Sequence, residues 1–272
     1  MPEFLPICKT VMFADDVVIF SSHSDLKQLF LNIQSTLSTT SVWYCRNLLL
    51  LNERKCQYML FSRVGSVNSD VFSLYLNNVE LKRVQQFRYL GIIIDENLSF
   101  HEHVKIVSVK FSRKVGIMCR LRHVFPVNIL KSIYFSLVHP FFLYSVSVWA
   151  STFPSVYKPL QILQNKAIRI LFQIDNRSSV THLFGSVGIF SLHQLHFIAI
   201  SQICHNYVFG QLASHFHGIF PLNSQRHSYP TSLRFNLSQE FRRTTRAGFS
   251  LRHIGPKVWN SIPLDIRECA DY

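Results

Sequence analysis

Residues 9–21 read KTVMFADDVVIFS. Two apolar, β-branched runs, Lys9–Phe13 and Val17–Ser21, flank Ala14-Asp15-Asp16, a pattern that predicts a short hairpin with acids at its tip. Downstream, Ser22 or Ser24 is placed to cap a helix. In that helix Leu26, Leu29, Phe30, Ile33 and Leu37 form one apolar stripe. Gln57–Phe61, Val71–Leu76 and Phe87–Ile94 read as strands, and Asn77-Asn78 as a two-residue turn returning the chain through Val79–Leu81. From His101 the period changes to helical. Val104, Val107, Phe111, Val115 and Met118 share one face, while Lys110, Arg113 and Arg120 project from the other. Further helices are expected at about 127–138, 156–173 and 191–212, before a pattern-poor end that closes compactly at Gly255–Asn260. The expected fold class is α+β, with segments 1–100, 101–220 and 221–272.

Charge divides the chain more sharply than pattern does. The whole carries +13, from 28 Lys+Arg against 15 Asp+Glu. Residues 1–102 are nearly neutral at −1, whereas 103–264 hold +16 with only Asp175 and Glu240 as acids. Such a field attracts polyanions, and nucleic acid is the commonest. A composition 48% hydrophobic and 16% charged excludes a disordered chain. Six cysteines without a C-x-x-C pair, and no signal-peptide pattern, give an intracellular, reducing setting as the expectation, nuclear or cytoplasmic rather than secreted. Ile133–Ala150 lacks charge over a span-like length, but His139-Pro140 breaks it, so buried helices are expected rather than a membrane segment. His193, His196, Cys204, His205, His215 and His217 cluster in sequence without the paired spacing of structural zinc.

Adjacent carboxylates on a hairpin suit a hard cation such as Mg²⁺, which favours oxygen ligands, although Asp-Asp is also ordinary turn chemistry. The surroundings add to this. Phe13-Ala14-Asp15-Asp16 resembles the F/Y-x-D-D box of reverse transcriptases, specifically those of non-LTR (LINE-type, Jockey-like) retrotransposons. Trp43, Asn47-Leu48, Leu51–Lys55 and Tyr58–Phe61 then follow in the family's order. So do Phe87–Asp95 with Leu98, Ser99, Phe100 and His103; Leu137–Pro140 with Leu143, Tyr144, Val148 and Trp149; Leu160–Arg169; and Gly255–Pro263.

The resemblance implies RNA-directed DNA polymerisation. It implies an incomplete palm over 1–100, a helical thumb over 101–220 and a basic C-terminal region over 221–272. Asp15 and Asp16 would be the catalytic Mg²⁺ ligands, and Lys55 would lie near the phosphates of an incoming dNTP. Tyr89 and Gly91, with Leu90, would grip the primer end. Lys110, Arg113, Lys114 and Arg120 would face phosphate backbone, so that the implied partners are an RNA template and a DNA primer. Two departures stand out. The family's K-T-K reads Lys55-Cys56-Gln57, and only twelve residues precede Phe13, with no room for fingers or a first palm aspartate. The expectation is therefore a C-terminal polymerase fragment, inactive by itself, or alternatively a non-catalytic nucleic-acid-binding remnant.

Overall fold

A computed structural model of the chain describes residues 8–62, 72–213, 216–223, 236–242 and 244–267. It is mixed helix and strand, compatible with α+β. The chain divides into two compact units, Met1–Arg88 with Ile94–Leu98, and Tyr89–Ile93 with Ser99–Tyr272.

In the first unit, β1 (Lys9–Phe13) and β2 (Asp16–Phe20) form the expected antiparallel hairpin, in register from Lys9 opposite Phe20 to Phe13 opposite Asp16. Ala14 takes φ +52° in the two-residue turn. Helix α1 (Leu26–Arg46) begins one residue later than a serine cap would require. Asp25 is its N-cap, accepting from the Lys27 and Gln28 amides at 3.1 and 3.4 Å. A carboxylate there also complements the helix dipole. Four of the five residues of the α1 stripe pack together: Phe30 is buried with Leu74, Leu76 and Leu81, and Leu26, Ile33 and Leu37 lie against them, while Leu29 is outside that cluster. Thr36 Oγ1 meets Cys8 Sγ at 3.0 Å, tying the approach to β1 onto the helix.

Three predicted strands are corrected. Gln57–Phe61 shortens to β3 (Gln57–Tyr58), which pairs in parallel with β6 (Lys82–Arg83). Among the described residues, Met59–Phe61 has no strand partner. Of Val71–Leu76, only β4 (Tyr75–Leu76) is strand, Val71 lying outside the described residues. It pairs with β5 (Val79–Glu80) around Asn77 and Asn78, at φ +50° and +64°, the turn their sequence predicts. Phe87–Ile94 is not one strand but two, β7 (Gln86–Tyr89) and β8 (Ile92–Asp95). Leu90 and Gly91 turn the chain between them at φ +44° and +82°. Glycine inside an apolar run marked the bend.

The second unit is helical. Helix α2 (His101–Leu121) buries Val104, Phe111, Val115 and Met118 and lies along α6 (Pro154–Phe172). Helix α3 (Val127–Leu137) adds Leu130 and Tyr134 to the same core. The uncharged run continues as two short helices, α4 (Pro140–Leu143) and α5 (Val146–Trp149). Pro140 starts the first at N1, and Ser145, at φ +52°, separates the pair. Tyr134, Val138, Phe142, Val146 and Trp149 still form one buried row through these breaks. Among the described residues no helix is long and apolar enough to cross a membrane.

After α7 (Leu183–Val187), helix α8 (Leu192–Val208) opens with a Ser191–Gln194 capping box. Its far half packs on α9 (Leu251–Ser261), where Trp259 joins Ile200, Cys204, Phe220 and Leu237 in a second core, ahead of α10 (Leu264–Arg267). Burial pushes the Cys204 thiol up to about 12. Cys204 and His205 are both buried, with the His205 ring 4.3 Å from that of Phe209 and tilted against it.

Candidate functional site

Asp15 and Asp16 occupy the tip of the first hairpin, Asp15 in the turn and Asp16 as the first residue of β2. Both are exposed. Lys55 ends a single 3₁₀ turn, Glu53–Lys55, which Asn77 Nδ2 steadies by donating to Glu53 Oε1 at 2.7 Å. That hydrogen bond holds the Glu53 carboxyl below its ordinary range. No hydrogen bond or ion pair joins Lys55 to either aspartate among the described residues.

A Mg²⁺ takes about six oxygen ligands in near-octahedral array. The two carboxylates are oxygen donors of the right kind. However, no group of three or more His, Cys, Asp or Glu gathers anywhere among the described residues. The donor set is thus incomplete on this chain's described residues. His193, His196, Cys204, His205 and His217 likewise form no such group, and His215 lies outside the described residues.

The other candidates lie in the second unit. Lys110, Arg113 and Arg120 are exposed on α2, and Lys114 is half-buried beside them. At about 100° per residue the four span roughly a third of the helix circumference. No carboxylate pairs with any of them among the described residues, whereas Lys105 nearer the helix start bonds Glu102 at 3.5 Å. The apolar Ile106 and Val109, 40% and 50% exposed, lie on the same side of α2, just before these cations. The face is therefore cationic with an apolar seam.

The same face leads to the Tyr89–Ile93 hairpin tip. His103, seven residues and about two turns before Lys110, is buried, and its Nδ1 accepts from the Ile93 amide at 3.4 Å. Burial, and then Lys110, push the His103 imidazole below its ordinary range, so it stays neutral and able to accept. On the other arm of the tip, Tyr144 Oη donates to the Leu90 carbonyl. Tyr144 also lies against Gly91, where a Cβ would meet Tyr144 Cε1 at 3.4 Å. The Tyr144 carbonyl accepts from Trp149 Nε1 at 2.8 Å, and the Trp149 ring sits 6.0 Å from that of His103.

Tyr89 and Gly91 are thus brought onto the helical unit together with the α2 cations. In the sequence the tip's supports, His103, Tyr144 and Trp149, stand only as letters of the motifs that carry the resemblance. A contact spanning 54 residues, from Leu90 to Tyr144, leaves no periodic trace.

No family model matches the chain, and no solved structure matches it. Curated relatives do. A probable RNA-directed DNA polymerase from transposon BS of Drosophila melanogaster is 25% identical over 162 residues, 58% of this chain and 18% of its own length. The RNA-directed DNA polymerase from mobile element jockey of the same species is 26% identical over 180 residues, 62% of this chain and 19% of its own. A probable polymerase from transposon X-element, also of Drosophila melanogaster, is 24% identical over 162 residues, 58% of this chain and 18% of its own. The chain spans about a fifth of the length of these relatives. It is a relative of the RNA-directed DNA polymerases of jockey-type non-LTR retrotransposons.

Proposed function

We propose that this chain is the part of a retrotransposon RNA-directed DNA polymerase that holds the primer–template. On this reading residues 1–100 are palm, 101–220 thumb, and 221–272 a basic extension. The RNA template and DNA primer lie along α2, and the primer end meets the hairpin tip at Tyr89 and Gly91. The observation that carries the reading is the unpaired cationic face of α2 running back to that tip. Cations on a rigid helix neutralise phosphates without reading sequence, as a polymerase requires. Ile106 and Val109 in the same face offer apolar contact where the charges offer none.

Asp15 and Asp16 are the carboxylates such an enzyme would place at a divalent cation, and Lys55 the cation it would place near a dNTP. The incomplete donor set favours a second reading, a non-catalytic binding remnant. Binding to a DNA-primed RNA, followed by fluorescence polarisation across a salt series, tests the shared claim. Affinity should fall steeply with salt, and Arg113→Glu with Arg120→Glu should lower the log–log slope by about two. Affinity indifferent to salt sinks both readings. Nucleotide incorporation that needs Mg²⁺ and disappears in Asp15→Asn would favour the enzyme. Binding retained in EDTA with no incorporation would favour the remnant.

A further inference from the structure

We infer that Tyr144, Trp149 and His103 are positioning residues that set the Leu90-Gly91 turn for its contact with a recessed primer end, an inference that rests on the reading of that hairpin given above. The connections form a closed circuit that begins and ends on the tip. Tyr144 Oη holds the Leu90 carbonyl, the Tyr144 carbonyl takes the Trp149 indole N–H, Trp149 packs on His103, and His103 takes the Ile93 amide. Leu90 lies in the turn and Ile93 in the strand that leaves it, so the turn and its outgoing strand are fixed to one helical body.

The turn needs such support. Leu90, a residue with a Cβ, sits at φ +44°, a conformation costing about 1–2 kcal/mol relative to the right-handed region. Backbone strain at a site persists only where surrounding structure over-determines it. The circuit is also asymmetric in burial. Trp149 and His103 are buried, at 1% and 6% exposure, whereas Tyr144 is 55% exposed. Gly91 is exposed as well, and the lack of a Cβ leaves room for the Tyr144 ring beside its backbone. Two of the three supports, Trp149 and His103, are therefore inside, while Tyr144 and the turn it holds face outside, the arrangement of a held contact surface.

The test is the ratio of affinities for a DNA-primed RNA with a recessed 3′ end and for the blunt duplex of the same sequence, measured by polarisation on the full chain. Wild type should prefer the recessed end. Tyr144→Phe, which keeps the ring and removes only the hydroxyl, should reduce that preference about fivefold, the worth of one backbone hydrogen bond. It should leave the salt slope, set by the α2 cations, unchanged. Trp149→Phe, which removes the indole donor to Tyr144, should act in the same direction. Circular dichroism confirms that each variant is folded, and the exposed Tyr144 serves if the buried Trp149 variant is not.

Gly91→Val separates the failures. If it abolishes the preference while Tyr144→Phe and Trp149→Phe leave it intact, the positioning role is wrong and the hairpin reading stands. If wild type shows no preference, or Gly91→Val keeps it, the hairpin reading falls and the inference falls with it.

Discussion

The two units of this chain differ in the depth of the apolar core they build. In the helical unit Phe111, Met118, Leu130, Tyr134, Phe142, Leu160, Ile168 and Leu171 are all sealed from solvent. The first unit buries Phe30, Leu74, Leu76 and Leu81, yet leaves Val11 and Met12 nearly half exposed, Phe13 63% exposed and Leu50 fully exposed. A two-stranded hairpin is marginal on its own, and this one keeps the apolar side chains of its tip in water. The difference separates a body that closes its own core from one whose strands carry an uncovered surface. Substitutions should therefore be costly in the helical unit and cheap on the hairpin.

The largest effect is expected at Gln164. Its side chain is fully buried. Nε2 donates to Tyr134 Oη at 3.0 Å and to the Phe190 carbonyl at 2.9 Å, and Oε1 accepts from the Leu192 amide at 3.0 Å. Gln164 thereby fastens α3, α6 and the start of α8 through one amide. Burial raises the Tyr134 hydroxyl to about 12, so it remains protonated. Gln164→Leu keeps the volume and strands three polar groups, and should destabilise the unit by about 3–5 kcal/mol in urea unfolding. A loss below about 1 kcal/mol would mean that the helical core is as loose as the hairpin.

Acid should expose the same contrast. His196 Nε2 lies 2.9 Å from Ser151 Oγ, whose own hydrogen goes to the Ser147 carbonyl at 2.6 Å, making the imidazole the donor. Burial, and then His193, push His196 down to about 4. The folded state refuses a proton that the unfolded chain accepts. Stability is thus fully present above the ordinary value near 6.5 and falls as pH drops from there to about 4, by at most about 3 kcal/mol. His196→Asn should flatten the profile in that window. An unchanged profile would remove His196 as the cause.

Gly255 is the next step down. A Cβ there would stand 2.7 Å from two atoms of the buried Phe220 ring and 3.1 Å from Cys204 Sγ. The buried ring must shift to admit a methyl, so Gly255→Ala should cost about 1–3 kcal/mol, read as a lowered melting midpoint. No cost would show that the Trp259 core yields like the surface of the first unit.

How much of this was legible beforehand follows the range of the interactions. The Asp15-Asp16 hairpin, the Asn77-Asn78 turn and the α2 stripe are written in neighbours two to four residues apart, and pattern reading reached them. The break of Phe87–Ile94 into a hairpin hung on Gly91 alone within a run that otherwise satisfies strand propensity. Gln164 looked like a polar residue on a helix, and only the fold shows it sealed between Tyr134 and Leu192. The cationic residues were visible as charge. Their alignment with the Leu90-Gly91 tip depends on His103 and Tyr144, which reach it across long separations in sequence.

The smallest effect, and the finest test of the contrast, pairs two alanines. Ala14 turns the β1–β2 hairpin at φ +52°, where a Cβ is strained by about 1–2 kcal/mol. Glycine would relieve that strain but adds about 0.5–1 kcal/mol of unfolded-state entropy, so Ala14→Gly should leave stability unchanged or raise it by up to about 1.5 kcal/mol. Ala167 lies fully buried within α6. There the same substitution meets helical backbone that glycine disfavours and deletes a packed methyl, for a loss of at least about 1 kcal/mol. Opposite signs from one chemical change would tie the contrast to backbone and burial together. A loss at Ala14 matching that at Ala167 would mean that the acidic turn is held by contacts its exposure does not reveal, and that the hairpin is as firmly built as the helices.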